Sequence, residues 1–228
     1  MRKETFESAG RQVILYRADA PQFLFLQPVD AHDAKLLDRQ SAAMGRCPLP
    51  FALAAFEVKD WNSDLSPWEA PPVFGRIPFG GHAADTLAFL TEELLPGLRI
   101  RLSMSECAPL CLGGYSLAGL FALWAATQTD LFSGVAAASP SVWYPGWLDY
   151  VKKHKITSPI VYLSLGDREA RAKNPLMSTV ADCIREQYEL LQTDHTVTLD
   201  WNPGNHFQDS ELRTAKAFLW AAKQLAET

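Results

Sequence analysis

The chain has 228 residues, of which 48% are hydrophobic and 21% are charged, and its net charge at pH 7 is −5. This composition is typical of a globular protein and excludes a disordered chain, which is polar and highly charged. The longest apolar runs, Pro50–Phe56 and Leu120–Ala126, are far shorter than the roughly 20 residues of a membrane span. The acidic balance, with only Lys152–Lys155 as a short basic run, does not favour nucleic-acid binding. We predict one domain over residues 1–228.

The amino terminus and the cysteines both predict a cytoplasmic protein. Near the start only Val13–Tyr16 forms an apolar run, whereas a secretory signal needs about 7–15 apolar residues. The cysteines form no CxxC pair and no zinc-ligand spacing, and we expect buried thiols, as in a reducing compartment. They are Cys47, Cys107, Cys111 and Cys183.

Strand-like and helix-like segments alternate along the chain, which is typical of a mostly parallel sheet with helices on both faces. Strands are predicted at residues 12–16, 22–27, 51–58, 109–113, 134–138, 160–165 and 196–201. Helices are predicted at residues 33–44, 83–95, 117–127, 147–155, 177–192 and 209–226. The helix over 83–95 is expected to end at Pro96-Gly97. Residues 60–81 are rich in proline and aromatic residues without a regular period, which predicts an ordered loop.

Ser116 lies in a sequence context that suits a catalytic serine. It stands between a short apolar strand and an apolar helix, in Gly-Tyr-Ser-Leu-Ala-Gly at 114–119. A Gly-x-Ser-x-Gly turn places its serine on a sharp strand-to-helix corner, which needs small residues two positions before and after it. Here Ala118 holds the second small position, and Gly119 follows it. The alternative is that Ser116 only caps the helix, a role that serine favours.

His206 is the predicted base. A serine hydroxyl is a weak nucleophile unless an adjacent base takes its proton. In α/β-hydrolases the partners follow in the order serine, acid, histidine, so the base lies late in the chain. His206 stands between the last predicted strand and the last helix, whereas His195 precedes that strand at its opposite end.

Two carboxylates directly follow the strand at 160–165. Asp167 and Glu169 lie in Gly-Asp-Arg-Glu at 166–169, at the carboxyl end of a strand, where open α/β sheets place their ligands. Either can orient the imidazole and stabilise its charged form. The alternative is that each is a turn residue or the partner of a nearby arginine.

Together these motifs resemble the esterase D-type family of α/β-hydrolases. The resemblance rests on the serine motif at 114–119, on Gly166-x-x-Glu169 and on Pro-Gly-Asn-His-Phe at 203–207. Ser-Pro-Ser-Val-Trp-Tyr at 139–144 resembles a loop of the siderophore (enterochelin-type) esterase branch. The family often places its acid three residues after the strand-end glycine, which favours Glu169 over Asp167. Some siderophore esterases work with a Ser–His dyad.

The resemblance implies an α/β-hydrolase fold, with a mostly parallel central sheet, helices on both faces and no separate lid domain. It also implies a serine carboxylic-ester hydrolase that forms a covalent acyl-enzyme on Ser116. His206 would deprotonate Ser116, protonate the leaving alcohol and then activate water. The oxyanion would accept N–H bonds from Leu117 and from the loop after the second strand, where Val29 is the predicted donor because Pro28 has no N–H.

Aromatic residues in the loops predict the substrate-binding surface. Trp68, Trp143 and Tyr144 would suit an aromatic acyl or aryl group, since ligand pockets favour aromatic walls; the alternative is that they fill the core. Siderophore-like, feruloyl and simple acyl esters all remain open as small-molecule substrates. No metal or organic cofactor, no nucleic acid and no membrane partner is expected, and the oligomeric state is open.

Two other functions also remain open. A serine acyltransferase or peptidase on the same fold would differ only in the acceptor that outcompetes water. A non-catalytic binding protein of the α/β-hydrolase fold would need neither nucleophile nor base, and the presence of Ser116, His206 and a strand-end acid argues against it.

Overall fold

The structure is a computed structural model that describes residues 1–73, 75–172 and 174–227. The strands are β1 (Arg2–Ser8), β2 (Arg11–Arg17), β3 (Phe23–Val29), β4 (Phe51–Glu57), β5 (Glu69–Ala70), β6 (Phe79–Gly80), β7 (Leu110–Tyr115), β8 (Gly134–Ala138), β9 (Ile160–Gly166) and β10 (Thr196–Asn202). The α-helices are α1 (Asp33–Ala43), α2 (Trp61–Asp64), α3 (Ala83–Ala88), α4 (Leu95–Leu102), α5 (Leu117–Gln128), α6 (Trp147–Val151), α7 (Pro175–Ser178), α8 (Val180–Leu191) and α9 (Ser210–Ala226). Within the described ranges, no helix has the length and apolar character that crossing a membrane requires.

Among the described residues, eight strands form one sheet in the order β1-β2-β4-β3-β7-β8-β9-β10, and β5 pairs with β6. From β4 to β10 every neighbouring pair in that order is parallel, whereas β1 and β2 join antiparallel. Parallel strands covered on both faces are continuous apolar runs, and β3, β8 and β9 are buried along their whole length. One hydrophobic cluster, which includes α5, lies on one face, and another, which includes α9, lies on the other. The predicted α/β architecture is confirmed.

The strand β1 was not predicted, because its side chains are polar or half-exposed on both faces. It pairs with β2 through a turn at Ala9-Gly10, where both residues have positive φ. The Glu4 carboxylate accepts a hydrogen bond from Arg17 Nε at 2.7 Å and another from Arg101 Nη1 at 3.2 Å. Backbone hydrogen bonds to β2 and these ion pairs therefore hold the strand in place. Because neither requires consecutive apolar residues, the sequence of β1 has no hydrophobic run.

The helix predicted to end at Pro96-Gly97 instead continues to Leu102, so this prediction was wrong. A π-helical segment, Phe89–Leu94, separates α3 from α4, and Pro96 lies in the first turn of α4. Proline is tolerated in the first turn of a helix because an N–H there has no partner four residues back. The π-helical segment changes the hydrogen-bond pattern just before α4. Pro96 therefore lies in the first turn of a new helix and not in the interior of one continuous α-helix.

The thiols were predicted to be buried, and this holds fully for Cys111 alone among the four, since Cys47 and Cys183 are partly exposed. The four cysteines are free, but Cys107 is exposed and only Cys111 is buried. Cys111 lies within β7, whereas Cys107 lies in the turn that connects α4 to this strand.

The sheet brings the predicted site residues to one edge. Ser116 follows β7, Glu169 follows β9 and His206 follows β10. These strands are parallel members of the same sheet, so their carboxyl ends lie together, where α/β proteins place their sites.

Candidate active site

Ser116 occupies a strained corner between β7 and α5. Its backbone has φ 57° and ψ −119°, a region that non-glycine residues rarely adopt and that clusters at functional sites. Its N–H donates to the carbonyl of Ala138, and its carbonyl accepts the N–H groups of Leu120 and Ser141, each at 3.1 Å. Hydrogen bonds to β8, to the loop after β8 and to α5 therefore hold the strained residue in place.

Small residues let the corner close. A Cβ placed on Gly114 would lie 2.5 Å from the Cβ of Ala118, and one placed on Gly119 would lie 3.0 Å from the Cβ of Pro140. Only one of positions 114 and 118 can carry a side chain at this distance. Alanine at position 118 is accommodated because position 114 is glycine.

The Ser116 side chain faces His206 and does not cap the helix. It makes no capping hydrogen bond to the first turn of α5. Its Oγ lies 3.0 Å from His206 Nε2 and 3.3 Å from Ser141 Oγ. The capping alternative therefore does not describe this structure, and the distance to the imidazole is that of a hydrogen bond.

Glu169, and not Asp167, is the carboxylate that contacts the histidine. Glu169 Oε2 lies 2.7 Å from His206 Nδ1, and the side chains are 4% and 30% exposed, respectively. The other carboxylate oxygen accepts the N–H of Gly166 at 2.7 Å and the hydroxyl of Ser139 at 2.9 Å. Asp167 is half-exposed, and its Oδ1 accepts the N–H of Gly204 at 2.8 Å. Asp167 thus stabilises the loop 203–209, which carries His206 (the histidine loop), and does not contact the imidazole.

Arg213 is a buried member of the site that the sequence analysis missed. Its side chain is 4% exposed, and Nη1 lies 3.3 Å from Glu169 Oε1 and 2.9 Å from the hydroxyl of Tyr115. Its Nη2 donates to the carbonyl of Pro203 at 2.8 Å. A signal was present, because Arg213 lies on the same face of α9 as Ala217 and Ala221, four and eight residues on, and both alanines are buried. A charge on the buried stripe of a helix needs a partner.

Tyr115 connects this arginine to the histidine loop. Its hydroxyl donates to the carbonyl of His206 at 2.8 Å while it accepts from Arg213. Burial, and next the charge of Glu169, raise the pKa of Tyr115 to about 12. The phenol therefore keeps its proton near neutral pH and remains a hydrogen-bond donor.

The two predicted oxyanion donors differ in their setting. Leu117 is the first residue of α5, so its N–H has no partner within the helix and lies at the positive end of the helix dipole. Val29 is the last residue of β3 and is 2% exposed, and its carbonyl accepts the N–H of Val58 at 2.9 Å. The strand therefore extends through Val29, and the expectation that Val29 lies in the following loop was wrong. Its role as an N–H donor stays a prediction.

The predicted substrate-binding aromatics pack against one another. Tyr144 is 2% and Trp143 is 8% exposed, and both belong to the hydrophobic core. The Tyr144 hydroxyl donates to the carbonyl of Trp68 at 2.6 Å, and Trp68 Nε1 donates to the carbonyl of Pro145 at 2.9 Å. Their burial favours the core-filling alternative for Trp143 and Tyr144, whereas Trp68 is only partly buried.

The chain matches a family model described as "Putative esterase" over residues 39–199. This span covers more than half of the chain, includes Ser116 and Glu169, and ends before His206. The chain therefore belongs to this family of α/β-hydrolases. The protein is an esterase.

Solved structures share this fold at low sequence identity. An IroE-like serine hydrolase from Shewanella oneidensis aligns with a TM-score of 0.74 at 17% identity, covering 97% of this chain and 80% of that chain. The siderophore hydrolase EstA from Aspergillus nidulans aligns with a TM-score of 0.70 at 17% identity, covering 98% and 93%. The enterobactin esterase FES from Shigella flexneri, in the presence of 2,3-dihydroxy-N-benzoyl-glycine, aligns with a TM-score of 0.67 at 17% identity, covering 98% and 59%. A comparison with curated proteins finds no match.

Proposed function

We propose that the protein hydrolyses carboxylic esters through a covalent acyl-enzyme on Ser116, with His206 as base and Glu169 as acid. One observation carries the proposal: His206 Nε2 lies 3.0 Å from Ser116 Oγ while its Nδ1 lies 2.7 Å from Glu169 Oε2. A nucleophile in contact with a base that is itself oriented by an acid is the arrangement that serine catalysis requires.

In the first half-reaction, Ser116 Oγ attacks the ester carbonyl carbon as its proton passes to His206 Nε2. The oxyanion accepts hydrogen bonds from the N–H groups of Leu117 and Val29. The carbon–oxygen bond to the alcohol then breaks, and the proton on Nε2 goes to the leaving oxygen. Water attacks the acyl-enzyme by the same route, which releases the acid and restores Ser116. Glu169 accepts the hydrogen bond of the Nδ1–H group throughout and stabilises the imidazolium.

For the substrate, we propose a small-molecule ester with an aromatic or other apolar group, siderophore-like esters among them. Phe207 is 90% exposed, and its ring lies edge-on to the His206 ring with centroids 5.6 Å apart. This places apolar surface beside the base, where an aromatic group of the substrate would pack. Two structures with the same fold are a siderophore hydrolase and an enterobactin esterase, which supports the same class. Trp143 and Tyr144 are too buried to be included.

We further propose that the protein works in the cytoplasm, on small molecules and without nucleic acid. The free thiols, one of them exposed, support a reducing compartment. Fractionation of the source cells tests the location, and recovery of the protein outside the cytoplasmic fraction would refute it.

The test compares hydrolysis of p-nitrophenyl butyrate and p-nitrophenyl benzoate by the wild type and Ser116→Ala, with fluorophosphonate labelling in parallel. We expect the variant to lose at least about 10³-fold in kcat and all labelling, since the nucleophile carries most of the catalysis. Ser178→Ala is the matched control, because the Ser178 hydroxyl donates to the carbonyl of Pro175 on α7.

Undiminished hydrolysis by Ser116→Ala would refute the proposal. A folded wild type that neither turns over nor labels would also refute it and favour a binding protein. Product analysis with added alcohol or amine distinguishes hydrolysis from acyl transfer. If the transfer product dominates, the acceptor of the acyl group is the alcohol or amine and not water.

A further inference from the structure

We propose that Arg213 is a positioning residue that sets the geometry between the acid and the base of this site. The inference rests on the proposed function of Ser116, His206 and Glu169. The Arg213 guanidinium contacts three elements at once: the end of β7 through Tyr115, the turn after β9 through Glu169, and the loop after β10 through Pro203. These elements carry the nucleophile, the acid and the base, respectively.

The first role of Arg213 is to pair with the Glu169 carboxylate and fix its orientation. Both side chains are only 4% exposed, and burying a charged group is costly unless a counter-charge and hydrogen bonds compensate for the lost water. Arg213, Gly166 and Ser139 all contact Oε1, which leaves Oε2 for His206 Nδ1. Oε1 therefore anchors the carboxylate, and Oε2 is the fixed acceptor for the imidazole.

The second role is to fix the loop that carries His206. Arg213 Nη2 donates to the carbonyl of Pro203, and Tyr115, itself bonded to Arg213, donates to the carbonyl of His206. The backbone is therefore held on both sides of Gly204-Asn205. The planar fork of a guanidinium serves two separated acceptors, whereas a lysine ammonium is a single point charge.

The experiment measures kcat and KM for p-nitrophenyl butyrate in Arg213→Met, Arg213→Lys and Tyr115→Phe. We expect kcat to fall about 10²-fold in Arg213→Met with KM within about threefold of wild type, as for a small misplacement of catalytic groups. Arg213→Lys should recover part of this loss, and Tyr115→Phe should lose less than Arg213→Met. Lys223→Met is the matched control on α9, because Lys223 is exposed and lies ten residues beyond Arg213 in this helix.

A double-mutant cycle separates positioning from simple stabilisation. If Arg213 acts through Glu169, adding Arg213→Met to Glu169→Gln should cost much less in kcat than Arg213→Met does alone. Circular dichroism and the melting temperature report whether each variant is folded. Tyr115→Phe, which removes one hydroxyl, keeps the test open if Arg213→Met does not fold.

Three outcomes would overturn the proposal: a folded Arg213→Met with wild-type kcat, full multiplicative loss in the double mutant, or, where Arg213→Met does not fold, wild-type kcat in Tyr115→Phe. Failure of the proposed function is a separate result, because it shows as activity that survives Ser116→Ala or as a folded wild type without turnover or labelling.

Discussion

Glu169 and Asp167 stand two positions apart and have different surroundings, which makes them a matched pair. We expect Glu169→Gln to reduce kcat/KM by about 10²–10⁴-fold, because the amide cannot stabilise the imidazolium and presents the wrong hydrogen-bond pattern to Nδ1. Asp167→Asn should cost less than about tenfold, since an amide oxygen can still accept the N–H of Gly204. Steady-state kinetics on one ester checks both variants.

A Glu169→Gln variant with near wild-type turnover would contradict this prediction and would favour a Ser–His dyad. A greater loss in Asp167→Asn than in Glu169→Gln would exchange the roles of the two carboxylates.

At the scale of residues, the sequence could identify only groups that stand in recognisable positions. Ser116 and His206 follow strands in the expected chain order, and both were predicted, as was Glu169 once the family resemblance was added. Arg213 and Ser139 were not, because their roles arise from contacts with Glu169 and, for Arg213, also with Tyr115 and Pro203. Such contacts join residues far apart in the chain. The buried stripe of α9 indicates that Arg213 needs a partner, but no local pattern identifies that partner.

At the scale of elements, the first turn of α1 carries a carboxylate with an unusual titration. Burial, followed by the charges of Asp30 and Glu211, raises the pKa of Asp33 to about 6, and His32 partly opposes this shift. The folded state therefore binds a proton more tightly than the unfolded chain. Stability must fall as pH rises through about 4 to 6, and the full penalty is present above this window.

We accordingly expect Asp33→Asn to raise the free energy of unfolding at pH 8 by about 1–2 kcal/mol and to leave it nearly unchanged at pH 4. This gain is smaller than the free energy that corresponds to the full pKa shift of Asp33, because the side chain is partly exposed and the helix dipole favours a negative charge at the start of a helix. Urea denaturation at both pH values provides the measurement. Asp38→Asn, on the same helix, is the control and should give no gain, since Asp38 is paired with Lys3 and its pKa is lowered. Equal effects of Asp33→Asn at both pH values would contradict the assignment.

The elements that the sequence predicted well are those whose burial follows a simple rule. The inner strands β8 and β9 are continuous apolar runs, and α5 is buried over almost its whole length. The strand β1 and the extension past Pro96 depend on hydrogen bonds instead of hydrophobic pattern, namely a ladder with β2 and a π turn. Neither leaves a periodic signal.

At the scale of the whole molecule, we propose that residues 1–228 form one domain. Both hydrophobic clusters pack on the same sheet, one on each face, so loss of either cluster exposes strands that the other needs. We expect one unfolding transition, with coincident midpoints by far-ultraviolet circular dichroism and tryptophan fluorescence. Two separated midpoints, or a stable proteolytic fragment, would contradict a single domain.

Hydrogen bonds between the loop after β9, which carries Glu169, and the loop after β10, which carries His206, constrain how this protein can diverge. Asp167 Oδ1 accepts the N–H of Gly204, the N–H of Arg168 donates to the carbonyl of Gly204, and the N–H of Asp167 donates to the carbonyl of Asn202. An insertion or deletion in either loop would break the register of both. We therefore expect changes in length to be tolerated in places such as the exposed turn at 105–107 between α4 and β7, and to disrupt the site when they fall in either of these two loops.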